Sequence, residues 1–151
     1  MFRIFVILAA VLALTNGQIV NSCSRNPGAL PLTTVVEGCS SAPCSAHSNR
    51  AVNIRMTFRA PRRLNDMATL ATGYMNVGGM VIPMQVNLGS GANTCNNLTN
   101  ARCPVNQGDL VNYTLRFTAA GIPMMHNMQF EFRIVDHGPM ICVMIPMRVV
   151  S

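Results

Sequence analysis

Six cysteines, Cys23, Cys39, Cys44, Cys95, Cys103 and Cys142, all follow an apolar leader. An even count behind an export signal reads as disulfides rather than metal or redox chemistry. No C-x-x-C occurs and no paired histidines follow, so the spacing lacks the usual pattern of a zinc site. The chain must therefore fold around cross-links, and the spacing alone leaves their pairing open. The leader has a short positive start at Arg3, an unbroken apolar run over residues 4–14 and cleavable residues at Thr15-Asn16-Gly17. That run is too short to span a bilayer. We read residues 1–17 as a signal peptide and residues 18–151 as one domain. Such a product is secreted or sits in an endosomal or lysosomal lumen.

The charge narrows the partners. All eleven basic residues are arginines, set against Glu37, Asp66, Asp109, Glu131 and Asp136. A net positive surface suits anionic lipid, carboxylate or phosphate groups, which arginine's planar fork grips well. Nucleic acid is excluded as a partner, because no basic run exceeds Arg62-Arg63 and no binding motif appears. Methionine is abundant at 12 residues and tryptophan is absent. Unbranched, polarizable methionine conforms to irregular or variable partners.

The region after the leader alternates with period two. Val52, Ile54, Met56 and Phe58 share one face, as do Val111, Tyr113, Leu115 and Phe117. Met128, Phe130, Phe132 and Ile134 form a third set, and Met80, Ile82, Met84 and Val86 a fourth. Residues 67–77 and 141–150 carry apolar groups on both faces. Turn residues separate the runs, at Ala60-Pro61, Gly78-Gly79, Gly108-Asp109 and His137-Gly138-Pro139 among others. Short strands with one apolar face predict an all-β sandwich. Pro83 within its run predicts an edge strand or a bulge. Two sequons, Asn97-Leu98-Thr99 and Asn112-Tyr113-Thr114, mark possible glycosylation, with Asn97 the better acceptor because strand residues accept poorly.

No catalytic set emerges. His47, His126 and His137 are scattered, the five acids are dispersed, and oxidised cysteines leave no thiol nucleophile. Asp136-His137 reads as a polar turn. The chain is not read as an enzyme, and no cofactor or metal is expected.

Three pieces in order, Cys39-Ser40-Ser41-Ala42-Pro43-Cys44, Cys95 to Cys103 followed by Pro104, and the ending Cys142-Val143-Met144-Ile145-Pro146-Met147, resemble the ML family of lipid-recognition domains. The nearest likeness is its Niemann-Pick type C2 group with arthropod relatives, including the mite group 2 allergens. The resemblance implies an immunoglobulin-like β-sandwich of two antiparallel sheets that splay at one edge to admit a lipid. It also implies disulfides Cys23–Cys142, Cys39–Cys44 and Cys95–Cys103. The implied cavity lining is Ile54, Met56, Phe58, Met75, Val77, Ile82, Met84, Tyr113, Leu115, Phe117, Met128, Phe130, Phe132, Val143 and Ile145. Arg59, Arg62 and Arg63 are expected at its rim, to attract a carboxylate or an anionic bilayer. Sterol-carrying relatives have a proline- and aromatic-rich strand before the fourth cysteine. Here that stretch is Gly78-Gly79-Met80-Val81-Ile82-Pro83-Met84, and Ile122-Pro123-Met124-Met125 replaces the aromatic near the pocket entrance. These departures favour straight-chain or mixed lipids over cholesterol.

The expected function is a monomeric, secreted lipid-binding and transfer protein holding a sterol, fatty acid or other small hydrophobic ligand, for delivery to a membrane or receptor. The alternative is an innate-immunity module that binds microbial glycolipid. A third reading is a structural secreted protein whose interior is simply full.

Overall fold

A computed structural model describes residues 19–124 and 127–151. The expected signal peptide and His126 lie outside the described residues. The strands are β1 (Thr33–Val36), β2 (Cys44–His47), β3 (Val52–Arg59), β4 (Ala68–Val77), β5 (Met80–Val86), β6 (Leu110–Phe117), β7 (Asn127–Val135) and β8 (Pro139–Val150). They form a three-stranded sheet in the order β1-β3-β6 and a five-stranded sheet in the order β2-β8-β7-β4-β5. One pairing, β2 with β8, is parallel, so the larger sheet is mixed rather than wholly antiparallel.

The alternation in the sequence becomes the inner faces of the sandwich. On β3, Ile54, Met56 and Phe58 are buried, and they meet Leu115, Tyr113 and Val111 of β6 in register. On β7, Met128, Phe130, Phe132 and Ile134 point inward. Opposite them β4 supplies small residues, with Gly73 beside Phe130 and Ala71 beside Phe132. A Cβ on Gly73 would lie 2.8 Å from Met128 Cε and 3.0 Å from Phe130 Cε1, so the phenyl rings use the space the glycine leaves. Phe117 of β6 then packs edge-on against Phe130 and Phe132, with centroids 5.1 and 5.2 Å away. Edge-to-face contact suits the ring quadrupoles.

β4 and β5 are joined by the two-residue turn Gly78-Gly79, where φ is +57° and +84°. Two successive positive φ values define the hairpin turn that matches strand twist, and glycine adopts them without steric cost. Val77 pairs with Met80 across this turn. Hydrogen-bonded pairs therefore recur at Met75–Ile82 and Gly73–Met84, and Pro83 opposite Tyr74 falls at a non-bonded position. The proline nitrogen faces the free edge of the sheet, where β5 is the outermost strand.

The segment before β1 crosses the outer face of the larger sheet as a strap. It is bridged to β8 at Asn21–Met144 and Ala29–Ile141, and Cys23 is bonded to Cys142. The other two disulfides are Cys39–Cys44 and Cys95–Cys103. In the chain-entropy account, closing so long a loop with Cys23–Cys142 contributes about 4–5 kcal/mol. Beneath the strap lies Glu131, with 0% exposure. Asn26 Nδ2 donates to its Oε1 at 2.7 Å, and Arg133 Nε lies 3.3 Å from the same oxygen. Arg25 of the strap sits over the ring of Tyr74, 4.7 Å from its centroid. Burial, and then the Glu131 carboxylate, raise the Tyr74 phenol above its ordinary pKa.

The strap comes close at Gly28, where an added Cβ would lie 2.8 Å from both Cys142 Cβ and Cys142 N. Gly28→Ala is expected to lower stability by about 1–3 kcal/mol, the usual cost of overpacking. The measurement is the denaturant midpoint at constant m. An unchanged midpoint would show that the strap does not bear on the sheet.

Candidate ligand-binding site

β5 and β6 are the edge strands on one side of the sandwich, and the chain from 87 to 99 crosses between them. Two 3-10 turns, Gly89–Ala92 and Thr94–Asn97, make this crossing. A chain of buried hydroxyls holds it. Thr94 and Thr69 hydroxyls lie 2.7 Å apart, Thr69 donates to Tyr113 Oη at 2.9 Å, and Tyr113 donates to the Gly91 carbonyl at 3.2 Å. Thr94 N donates to the Met67 carbonyl, and Asn93 bridges to Ala68. β4, β6 and both turns thus meet at one polar spine, and the Cys95–Cys103 disulfide closes the loop that follows.

Beyond that seal the sheets part. Met80 and Ile82 sit on the inward-facing side of β5, yet they are 71% and 40% exposed because no strand of the smaller sheet lies over them. Val77 and Val81 are exposed beside them. Together they make an apolar lip around the β4–β5 turn. A groove of about 580 Å³ runs between β5 and the β6–β7 connection. Met84, Val86, Leu88 and Ile122 line it, with Gln85, Asn87, Ser90 and Thr118 at its polar margins.

The fifteen residues expected to line a cavity divide along this route. Val77 and Ile82 belong to the exposed lip, and Met75 and Met84 are half-buried behind it. Ile54, Met56, Phe58, Tyr113, Leu115, Phe117, Met128, Phe130, Phe132, Val143 and Ile145 are fully buried and pack into one core. The three phenyl rings occupy the centre of the inter-sheet space. Met80, Leu88 and Ile122 were not among the expected lining residues. Met80 opens the same alternating run as Ile82 and Met84, so its signal was present. Leu88 and Ile122 lie in irregular chain where no period marks a face.

The arginine expectation needs correction. Arg59, Arg62 and Arg63 end β3 and enter the connection to β4, at the end of the sandwich opposite the β4–β5 turn. Each is held there by local acceptors. Arg59 donates to the Gly108 carbonyl at 2.9 Å, Arg62 to the Asp136 carbonyl, and Arg63 to Asn106 Oδ1 at 3.1 Å. They line neither the groove nor the lip. The exposed arginines at the lip's end are Arg50, Arg116 and Arg148. Arg50 reaches His47 Nε2 at 3.1 Å while His47 Nδ1 faces the Ser151 carbonyl at 3.3 Å. Asp136 and His137 occupy the β7–β8 turn, where Asp136 accepts from Asn65 N at 3.1 Å. Among the described residues the candidate metal cluster is Cys23, Glu131 and Cys142. Its sulfurs are joined in a disulfide, which leaves one carboxylate and no chelating set.

The profile of the ML domain family matches residues 17–149. The chain belongs to the ML domain family. Comparison with curated proteins finds no match. Among solved structures, this ML domain is similar to a Niemann-Pick type C2 protein from the Japanese carpenter ant, with a TM-score of 0.68 and 13% identity over 88% of this chain and 100% of that one. It is also similar to chicken MD-1 complexed with lipid IVa, with a TM-score of 0.48 and 15% identity over 84% and 85% of the two chains. At such identity the ant protein speaks to fold alone.

The hydroxyl spine makes a stability prediction for this ML domain. Burial pushes the Tyr113 phenol from its ordinary 10 up to about 12. The unfolded chain deprotonates first, so this contribution is complete below pH 10 and is lost as pH rises towards 12. The loss across that window is roughly 2–3 kcal/mol. Tyr113→Phe strands the Gly91 carbonyl and the Thr69 hydroxyl, and is expected to cost about 1–3 kcal/mol at neutral pH. Denaturant titrations from pH 7 to 12 should show the variant less stable at neutral pH and flatter above pH 10. Parallel wild-type and variant curves would contradict this account.

Proposed function

We propose that the protein is a secreted, N-glycosylated, non-enzymatic carrier of a lipid with a flexible acyl chain. The acyl chain enters between the sheets by the groove beside β5. The observation that carries this reading is the inward-facing side of β5. Met80, Ile82 and Met84 form a continuous apolar surface that the smaller sheet leaves uncovered. Large exposed apolar surface is costly in a soluble protein unless it meets a partner. The groove volume falls within the range of small-molecule sites. Each acyl methylene buried contributes about 0.8 kcal/mol. Ten such groups supply about 8 kcal/mol before ordering costs, on the scale of micromolar affinity.

Methionine and leucine at the groove adapt to a flexible chain more readily than to a rigid ring system. That favours a fatty acid over a sterol. The same lip is placed to touch a bilayer during handover, with the arginines of that end beside it. A positive rim was expected to serve the carrier and the microbial-glycolipid alternative alike, so the location of Arg59, Arg62 and Arg63 at the far end does not choose between them.

The test uses delipidated protein, a fluorescent fatty acid and anionic phosphatidylglycerol-containing vesicles. Wild type should bind the probe and pass it to vesicles, and bound fatty acid should raise the Tm. Ile82→Asp and Met80→Asp, at exposed positions, should keep the fold and slow transfer by more than about tenfold, a loss of at least ~1.4 kcal/mol in the transfer step. Tighter binding of cholesterol than of fatty acid would reverse the ligand preference. If neither lipid binds nor raises the Tm, the interior is a filled core and the carrier reading fails.

A further inference from the structure

The outer face of the smaller sheet carries a second depression, separate in its lining from the groove beside β5. It measures about 310 Å³ and is lined by Thr33, Val35, Arg55, Thr57, Thr99 and Thr114 around Asn112. Hydroxyls and a guanidinium alternate here with one exposed valine. That mixture suits a sugar ring, which offers hydroxyls at its rim and an apolar acetamido methyl. Both sequons border this region, and their amides are in different states.

Asn97 Nδ2, the atom that must take a glycan, is already committed. It donates to the Asn93 carbonyl at 2.8 Å and to the Ser90 carbonyl at 3.2 Å, tying the two 3-10 turns together. A glycosylated amide keeps a single N–H, so one of those carbonyls would lose its donor. The hydroxyl of the same sequon, Thr99, donates to the Asn112 carbonyl at 3.4 Å. Asn112 is arranged differently. Thr57 Oγ1 donates to its Oδ1 at 3.0 Å, which fixes the carboxamide by its oxygen. Among the described residues, no bond engages Asn112 Nδ2. On β6, Asn112 and Thr114 share the outward face, away from buried Val111 and Tyr113.

We propose that Asn112 carries the N-linked oligosaccharide of the folded protein, with its first sugar seated in this groove, and that Asn97 remains bare. In the transfer, the Nδ2–H bond breaks and an Nδ2–C1 bond forms. A polyprenyl-pyrophosphate sugar donor loses its pyrophosphate-lipid as leaving group, and the proton passes to a base of the transferase. Transfer meets the chain before folding, so the fold acts by tolerating one product and not the other. A glycan on Asn112 leaves the core and the seal intact, whereas one on Asn97 opens the seal beside the lipid groove. The proposal rests on export, which is part of the carrier reading, and not on lipid binding.

The experiment expresses the full chain through a eukaryotic secretory pathway and maps glycopeptides of the secreted wild type by mass spectrometry. Asn112 should be occupied and Asn97 unmodified. Asn112→Gln and Thr114→Ala should each abolish the gel shift, while Asn97→Gln keeps it and lowers the Tm through the two lost turn bonds. A glycan on Asn97, or secreted protein bare at both sites, overturns the assignment and leaves the carrier reading standing. A chain retained in the cell without any glycan overturns both.

Discussion

The contact of Phe117 with Phe130 and Phe132 sets where the two sheets touch. It joins β6 to β7, the middle strand of the larger sheet, and it needs Gly73 and Ala71 on β4 to make room for the rings. Because the sheets are pinned there, β5 is left one strand beyond the reach of the smaller sheet. The open side of the sandwich is thus a consequence of strand number and ring placement. No special loop is needed to prop it apart, and the 3-10 crossing only decides how far along the edge the opening extends.

Four strands with clean alternation, β3, β5, β6 and β7, were legible because each gathers its apolar residues on one face, a face that meets the core on β3, β6 and β7 and stays largely exposed on β5. β1 and β2 have four residues each, too few for a period to declare itself, and β2 joins its sheet through a parallel pairing that only distant chain supplies. Glu131 shows a deeper limit. It alternates with the apolar residues of β7 and so falls on that strand's outer face, yet it is the most buried charge described, because a strap more than a hundred residues earlier in the chain covers it. The arginines failed for a related reason. Which end of a sandwich a residue occupies depends on the order of connections, and composition carries no record of that order.

The polar cluster under the strap has an energetic logic of its own. A buried carboxylate costs several kcal/mol unless its partners hold it, and removing one partner from such a pair costs about 3–5 kcal/mol. Asn26 therefore favours the register of the strap that covers Glu131, while Arg133, on the same strand, stays beside the carboxylate wherever the strap lies. The Cys23–Cys142 bond limits how far the segment can stray, and the carboxylate selects where it settles. Covalent and electrostatic restraints act on the same few residues at different ranges.

An apolar strand at the margin of a sheet is the usual starting point for fibrous association, since its free backbone invites a neighbouring chain. Pro83 places its substituted nitrogen on that margin, between Val81 and Gln85. Two such strands meeting symmetrically about Pro83 would set each Pro83 carbonyl against a proline nitrogen that has no proton to donate. The residue that interrupts the alternating run thereby lets the rest of the run stay oily. The protein can expose greasy side chains to lipid while denying a second copy the backbone ladder on which to polymerise.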